Sequence, residues 1–298
     1  MKKLVLMGLM AMTTIAYGAE QNKPDALTSG VSSCQTLSLA EGKMAYEDSG
    51  HGSPVLVCIP GLGDSRGQFR LLAPILVSYG YRVVVVDPRG QGDSDGTFAR
   101  FTASAIGDDV SDLLKSFPDG VYLVGNSSGA GSAAWIAENH PQQVKGIVFL
   151  DAFLRDHSMG FFLRNFMHLA LSGFWGKDMW ISYYQSLFKG HPPADQKEYC
   201  AALKDSLGLN RHMTAVRDMV FGSKSDIEAG LGKVHTPVLA IAGSLDPDFK
   251  QPEVEVDWIV KTLGGQKLMI ENAGHYPHLE YPEQVAKAIQ NFIKLQMN

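Results

Sequence analysis

Six short runs, residues 55–59, 81–86, 121–124, 144–150, 237–242 and 267–270, are apolar at nearly every position. A strand covered on both faces reads this way, because neither of its alternating sets of side chains meets water. Between the runs lie segments at 69–79, 103–117, 130–139, 254–263 and 282–295 with apolar residues three and four apart. That is the period of a helix with one buried stripe. A hairpin with strands at 36–39 and 43–48, turning at Glu41-Gly42, precedes the first run, and residues 20–35 read as a polar linker. The alternation predicts an α/β domain with a mostly parallel sheet flanked by helices. From 152 to 232 the pattern changes. No strand-like run occurs, and aromatic and Met residues crowd together, including Phe153, Phe161, Phe162, Phe174, Trp175, Trp180 and Tyr183. This stretch predicts a helical lid inserted after the sixth strand. The expected organisation is therefore a leader at 1–19, the first part of the core at 20–151, the lid at 152–232, and the second part of the core at 233–298.

The leader changes the picture of where the chain acts. Lys2 and Lys3 precede an apolar run from Leu4 to Met12, and Ala16-Tyr17-Gly18-Ala19 is small enough for cleavage. The run is too short to span a bilayer as a helix. A secretory signal is expected, hence a secreted or periplasmic protein with no stable membrane anchor. The whole chain has 298 residues and a formal net charge of −5. No stretch is basic enough to suggest nucleic acid. The three cysteines, Cys34, Cys58 and Cys200, do not have the spacing of a zinc site. Cys58, inside an apolar run, reads as a buried thiol, and a Cys34–Cys200 pairing is left open.

The chemistry gathers at the ends of the apolar runs. Gly125-Asn126-Ser127-Ser128-Gly129 directly follows the run at 121–124 and leads into the small-residue helix. A serine on a sharp strand-to-helix turn is pushed out as a nucleophile, and the glycines let strand, turn and helix approach closely. Gly92-Asp93-Ser94-Asp95-Gly96 has the same form, but Arg89-Gly90-Gln91 separate it from the strand. Ser94 is read as a loop residue. A serine hydroxyl needs a base, and the base needs an orienting carboxylate. Of nine histidines, His275 sits directly after the last apolar run, with His278 as the second choice. Asp246 lies in the turn after the run at 237–242. Asp248 is the alternative two residues on, and Asp151 is a third choice. Oxyanion stabilisation calls for two backbone N–H donors. Ser128 follows the nucleophile, and Leu62 lies in the loop Pro60-Gly61-Leu62-Gly63 after the first run.

In this order the motifs resemble the α/β-hydrolase superfamily, in its lidded, esterase-like branch. The matching pieces are the Pro60 loop, Asp87-Pro88-Arg89-Gly90-Gln91-Gly92, the Ser127 pentapeptide, Gly243-Ser244-Leu245-Asp246 and Gly274-His275. The resemblance implies Ser127 as nucleophile, His275 as base, Asp246 as its partner, and Leu62 and Ser128 as the oxyanion hole. Pro60 stands where relatives often carry His, and Ser128 stands where Met or Gln is common. The expected activity is hydrolysis of small to medium apolar carboxylic esters, with no metal or cofactor. Phe161, Phe162 and Trp175 are candidates for lining the substrate pocket. The partner is then a small ester-like molecule, and the oligomeric state is open. Asn126 before the serine also resembles carbon–carbon bond hydrolases of the same superfamily. Those act on substrates made inside cells, which sits poorly with a secretory signal. A third reading keeps the fold as a non-catalytic binding protein.

Overall fold

β-Branched and apolar residues at 55–59 and 83–86 leave those segments no polar face, so they pair in the middle of the sheet. The computed structural model describes residues 27–156, 161–209 and 211–297, and the leader read at 1–19 lies outside them. Eight strands form one sheet: β1 (Gln35–Ser38), β2 (Lys43–Asp48), β3 (Val55–Ile59), β4 (Arg82–Val86), β5 (Val121–Asn126), β6 (Val144–Leu150), β7 (Val238–Gly243) and β8 (Gln266–Ile270). Their order is β1-β2-β4-β3-β5-β6-β7-β8. β1, β2 and β4 pair antiparallel, and every other pair is parallel.

Alternate residues of the same strands feed two cores. Val57, Ile59, Val84 and Val86 belong to one cluster, and Leu56, Cys58, Val83 and Val85 to the other. The first face is covered by α2 (Ala103–Leu114), α3 (Ser128–Asn139) and α9 (Pro252–Leu263), through Ile106, Val110, Ala133, Ile136, Val256 and Ile259. The second is covered by α1 (Leu72–Ser78) and α11 (Pro282–Met297), through Leu72, Leu76, Val285, Ile289 and Phe292. Each Val, Leu, Ile or Phe side chain among them contributes roughly 1.5–3 kcal/mol on removal from water.

Among the described residues, five α-helices lie between β6 and β7: α4 (Phe161–Ser172), α5 (Gly176–Ser186), α6 (Gln196–Ser206), α7 (His212–Phe221) and α8 (Ser225–Gly230). The first four share a third cluster with the loop after β8, including Trp180, Tyr184, Leu187, Tyr199, Val216 and Tyr276, while Ile227 of α8 joins the first core. A one-turn helix, α10 (Pro277–Glu280), follows that loop. None of the described helices is long and apolar enough to cross a membrane.

Two helices are shorter than the periodicity suggested. The segment from Phe69 divides into a 3-10 turn, Arg66–Phe69, and α1. Pro74 lacks an N–H and its ring would meet the carbonyl of residue 70, so no helix can run through it from Phe69. α2 stops at Leu114 because Phe117 precedes Pro118, which disfavours helical backbone at 117. All three cysteines are free thiols, Cys34 exposed and Cys58 and Cys200 buried. The Cys34–Cys200 bond is therefore not formed.

Candidate active site

The parallel strands end on one edge of the sheet, and their loops meet there. Ser127 joins β5 to α3 with φ 53° and ψ −118°, a left-handed conformation that costs a non-glycine residue about 1–3 kcal/mol. The surroundings enforce it. Ser127 N–H donates to Leu150 O at 2.9 Å, and Ser127 O accepts from Ala130 N at 3.1 Å and Phe153 N at 3.2 Å. A Cβ on Gly125 would stand 2.4 Å from Gly129 O, and one on Gly129 would stand 2.3 Å from Ile59 O. The strand, turn and helix thus touch backbone to backbone, and the turn is held tight.

β7 and β8 bring the second half of the site. A Cβ on Gly243 would lie 2.0 Å from Gly274 O, so the loops after these two strands are pressed together. His275 Nδ1–H donates to Asp246 Oδ2 at 2.7 Å, with both side chains almost wholly buried. Asp246 Oδ1 accepts Asp248 N–H at 2.9 Å, which fixes the carboxylate. Asn126 Nδ2 donates to Leu150 O at 3.0 Å and reaches His275 O at 3.4 Å, tying the histidine loop to the residue before Ser127. Ser127 Oγ and His275 Nε2 are not hydrogen-bonded to each other here; in resting enzymes such contacts often close only with substrate.

Electrostatics separate the candidates. Burial alone would lower the His275 pKa, but the charge and hydrogen bond of Asp246, with Asp248 behind them, raise it to about 9. Asp248 lies 3.8 Å from the same Nδ1, and the Tyr183 hydroxyl is 2.7 and 2.8 Å from its two oxygens. Burial raises the Asp248 pKa, with the His275 charge pulling against it. Asp151 follows β6 with φ 46° and accepts Gly243 N–H at 2.9 Å. Burial, followed by the Asp246 charge, pushes its pKa well up, so the Asp151–Asp246 pair favours a single negative charge. Asp151, Asp246 and His275 place donor atoms within 4.8 Å of one another, close enough to ligate a cation. A cation there would compete for the oxygen that Nδ1–H now uses. His278 is buried and stacked on Phe69 at 5.1 Å, and burial, with the charges of His275 and Arg70, takes its pKa down to about 3. It is a neutral packing residue.

The loop after β3 closes the site. A Cβ on Gly61 would be 2.9 Å from Asn126 Oδ1 and 3.1 Å from Ser127 Cβ, so this loop lies flush on the elbow. Gly61 N–H donates to Gln68 Oε1 at 3.1 Å, and Trp180 Nε1–H donates to Gly63 O at 3.3 Å. Among the described residues, no acceptor takes the N–H of Leu62 or Ser128. Ser128 opens α3, so no helical carbonyl reaches its N–H.

Other candidates fall elsewhere. Ser94 is buried, donates to Asp87 O at 2.7 Å and accepts Ala45 N–H at 2.8 Å, so it braces a loop. Trp175 precedes α5, is 40 % exposed, and packs on Phe174 rather than on the elbow or His275. The Phe161 and Phe162 side chains lie outside the described residues, although their backbone opens α4. Two described rings stand edge-on to the base: Tyr276 at 5.2 Å, and Phe153 at 5.9 Å, which is 4.7 Å from Phe249. In the sequence Phe153 is one aromatic among many, although its place three residues past the end of β6 is a signal. Lys224, which sequence reasoning did not single out, stands over the Phe153 ring at 5.8 Å.

Comparisons with known proteins bear on the family and the fold. The family model described as "Alpha/beta hydrolase family" matches residues 56–288. A 2-hydroxy-6-oxononadienedioate/2-hydroxy-6-oxononatrienedioate hydrolase of Burkholderia vietnamiensis (strain G4 / LMG 22486) is 31% identical over 278 residues, covering 85% of this chain and 92% of its own length. The 3-oxoadipate enol-lactonase 1 of Acinetobacter baylyi (strain ATCC 33305 / BD413 / ADP1) is 24% identical over 255 residues, covering 81% of this chain and 89% of its own. Among solved structures, a thermophilic esterase of Thermogutta terrifontis superposes with a TM-score of 0.73 at 19% identity, covering 90% of this chain and 100% of that one.

Proposed function

Because this chain belongs to the alpha/beta hydrolase family, we propose that it hydrolyses carboxylic esters, lactones included, through an acyl-enzyme on Ser127. The observation that carries the reading is the 2.7 Å Asp246–His275 bond beside a strained serine elbow. Ser127 Oγ attacks the carbonyl carbon while His275 Nε2 takes its proton, and Asp246 steadies the imidazolium. The N–H groups of Leu62 and Ser128 hold the oxyanion. His275 returns the proton to the leaving alcohol, then activates a water that frees the acid. In this proposal the helices between β6 and β7 cover the site, and the leader exports the chain. Sequencing the N-terminus of the protein recovered from periplasm or medium tests the export. The mechanism is tested on nitrophenyl esters of increasing acyl length, with Ser127→Ala beside the wild type. Turnover that survives in Ser127→Ala would sink it.

A second reading, hydrolysis of a carbon–carbon bond in a vinylogous diketone, is favoured by Asn126 and by the name of the relative that is 31% identical, a 2-hydroxy-6-oxononadienedioate/2-hydroxy-6-oxononatrienedioate hydrolase. Both reactions use the same base and oxyanion donors. Parallel assays on an ester and on such a diketone decide which substrate is turned over.

A further inference from the structure

Resting on the assignment of Ser127 as nucleophile, we propose that the site includes a carboxylate subsite. It is made by Ser128 Oγ, the N-terminus of α2 and Lys224, and it selects acyl groups that end in an anion. These groups converge on a cavity of about 20 Å³ lined by Phe101, Thr102, Ala103, Ser128, Met219 and Lys224, among others. A cavity that size holds one or two water-sized groups, which suits a terminal carboxylate and excludes a ring.

Each contributor has donors to spare. Ser128 is 6% exposed, and its buried Oγ has no hydrogen-bond partner among the described residues. Leaving a buried hydroxyl unpaired is costly, so this one is a donor that a ligand would satisfy. α2 is a 12-residue helix with no acidic side chain in its first turn, and its cap, Thr102 Oγ1, takes up Ala105 N–H at 3.2 Å. The positive end of its dipole therefore faces the cavity without an internal counter-charge. Lys224 is held through its backbone, where N–H donates to Asp156 Oδ1 at 2.8 Å, while Asp156 Oδ2 accepts from Ser223 Oγ at 2.5 Å. Its ammonium lies over Phe153, one of the rings edge-on to His275. Burial lowers the Lys224 pKa against the pull of Asp156 and Asp226, and an incoming anion would reverse that. Phe101 and Met219 wall the cavity with apolar surface, which strengthens an ion pair formed inside it.

The position sets the substrate's shape. Ser128 would present its N–H to the oxyanion and its Oγ to the carboxylate, so the two ends of the acyl group lie close together. A short dicarboxylic monoester has that form.

The test compares kcat/KM for the mono-nitrophenyl ester of glutaric acid with that for nitrophenyl butyrate. It uses the wild type, Lys224→Met, Lys224→Arg and Ser128→Ala. The wild type should favour the anionic ester by about tenfold or more, the size of a charged hydrogen bond. Lys224→Met and Ser128→Ala should each lower that ratio, Lys224→Arg should keep most of it, and added salt should erode it only where the lysine or arginine is present. A ratio near one in the wild type, or unchanged in Lys224→Met, overturns the subsite while leaving the esterase reading intact. If neither ester turns over, the readout becomes labelling of Ser127 by a neutral fluorophosphonate with glutarate as competitor. Protection that Lys224→Met abolishes supports the subsite, and no protection overturns it. A folded protein that does not label at all overturns the nucleophile assignment instead.

Discussion

Replacing Asp246 by Asn should separate the charge of the partner carboxylate from its shape. His275 is buried, yet its pKa stands at about 9, against roughly 6.5 for an ordinary histidine. That gap corresponds to roughly 3 kcal/mol in favour of the imidazolium, and it is a floor, because Asp246 must first overcome the burial. The imidazolium is what forms as Ser127 attacks, so losing the charge should cost at least about 100-fold in kcat. Only the neutral imidazole is a base. Wild-type kcat/KM should therefore climb with pH and level off above about 9. Asp246→Asn should move that midpoint down to 6.5 or lower and flatten the profile at a reduced plateau. Asp248→Asn is the control. Its carboxylate is 3.8 Å from Nδ1 and engaged by Tyr183, so the loss should stay within about threefold. The assay is steady-state hydrolysis of a nitrophenyl ester across pH, with denaturant midpoints to confirm folding. An Asp246→Asn plateau within threefold of wild type, or an unmoved midpoint, would refute the assignment and pass the role to Asp248 or Asp151.

Three further outcomes are expected. Ser94→Ala should keep wild-type kcat and lose about 1–3 kcal/mol by urea unfolding, because Ala45 N–H is left buried without its acceptor. Arg66→Met should cost about 3–5 kcal/mol by the same measurement, since Arg66 is the buried counter-charge of Glu47 and Asp87. His275 binds its proton more tightly folded than unfolded. Its contribution to stability is thus full below about 6.5 and is lost as pH rises through about 9, roughly 3 kcal/mol that His275→Gln should lack in pH-dependent thermal melts.

The strands were legible because burial on both faces leaves a continuous apolar run that few other structures produce. β3 and β6 occur where that pattern places them. Helix ends were less legible, since they depend on single residues such as Pro74 and Pro118 rather than on periodicity. The elbow could be read because its glycines are forced by backbone contact: a side chain at 125 or 129 has nowhere to go. The acid partner could be narrowed but not fixed, because Asp246 and Asp248 share one turn, and only the 2.7 Å and 3.8 Å distances separate them. Lys224 gave no signal at all. It lies 97 residues from Ser127 in sequence, in a polar stretch between two helices, and only folding brings it to Ser128.

The helices between β6 and β7 do not contribute equally. Trp180, Tyr183, Tyr184 and Leu187 are spaced three and four apart, so they form one face of α5 and its first following residue. From that face Trp180 donates to Gly63 O, Tyr183 holds Asp248, and Leu187 O accepts His275 N–H at 3.0 Å. Just beyond, Glu280 accepts N–H groups from Lys189 and His191 while also accepting Gly274 N–H at 2.7 Å. The oxyanion loop, the acid loop and the histidine loop therefore all rest on α5. At about 0.5–1.5 kcal/mol per bond, lifting α5 would loosen the whole constellation at once. Met219 of α7 and Lys224 before α8 border the cavity beside Ser128, and none of the described hydrogen bonds to Gly63, Asp246, Asp248 or His275 comes from α7 or α8. α7 and α8 instead join the first core through Ala215, Met219 and Ile227, beside Ala130 and Ala133 of α3. In the proposed site, then, the lysine that would read the substrate's charge and the loops that would react are held by different helices.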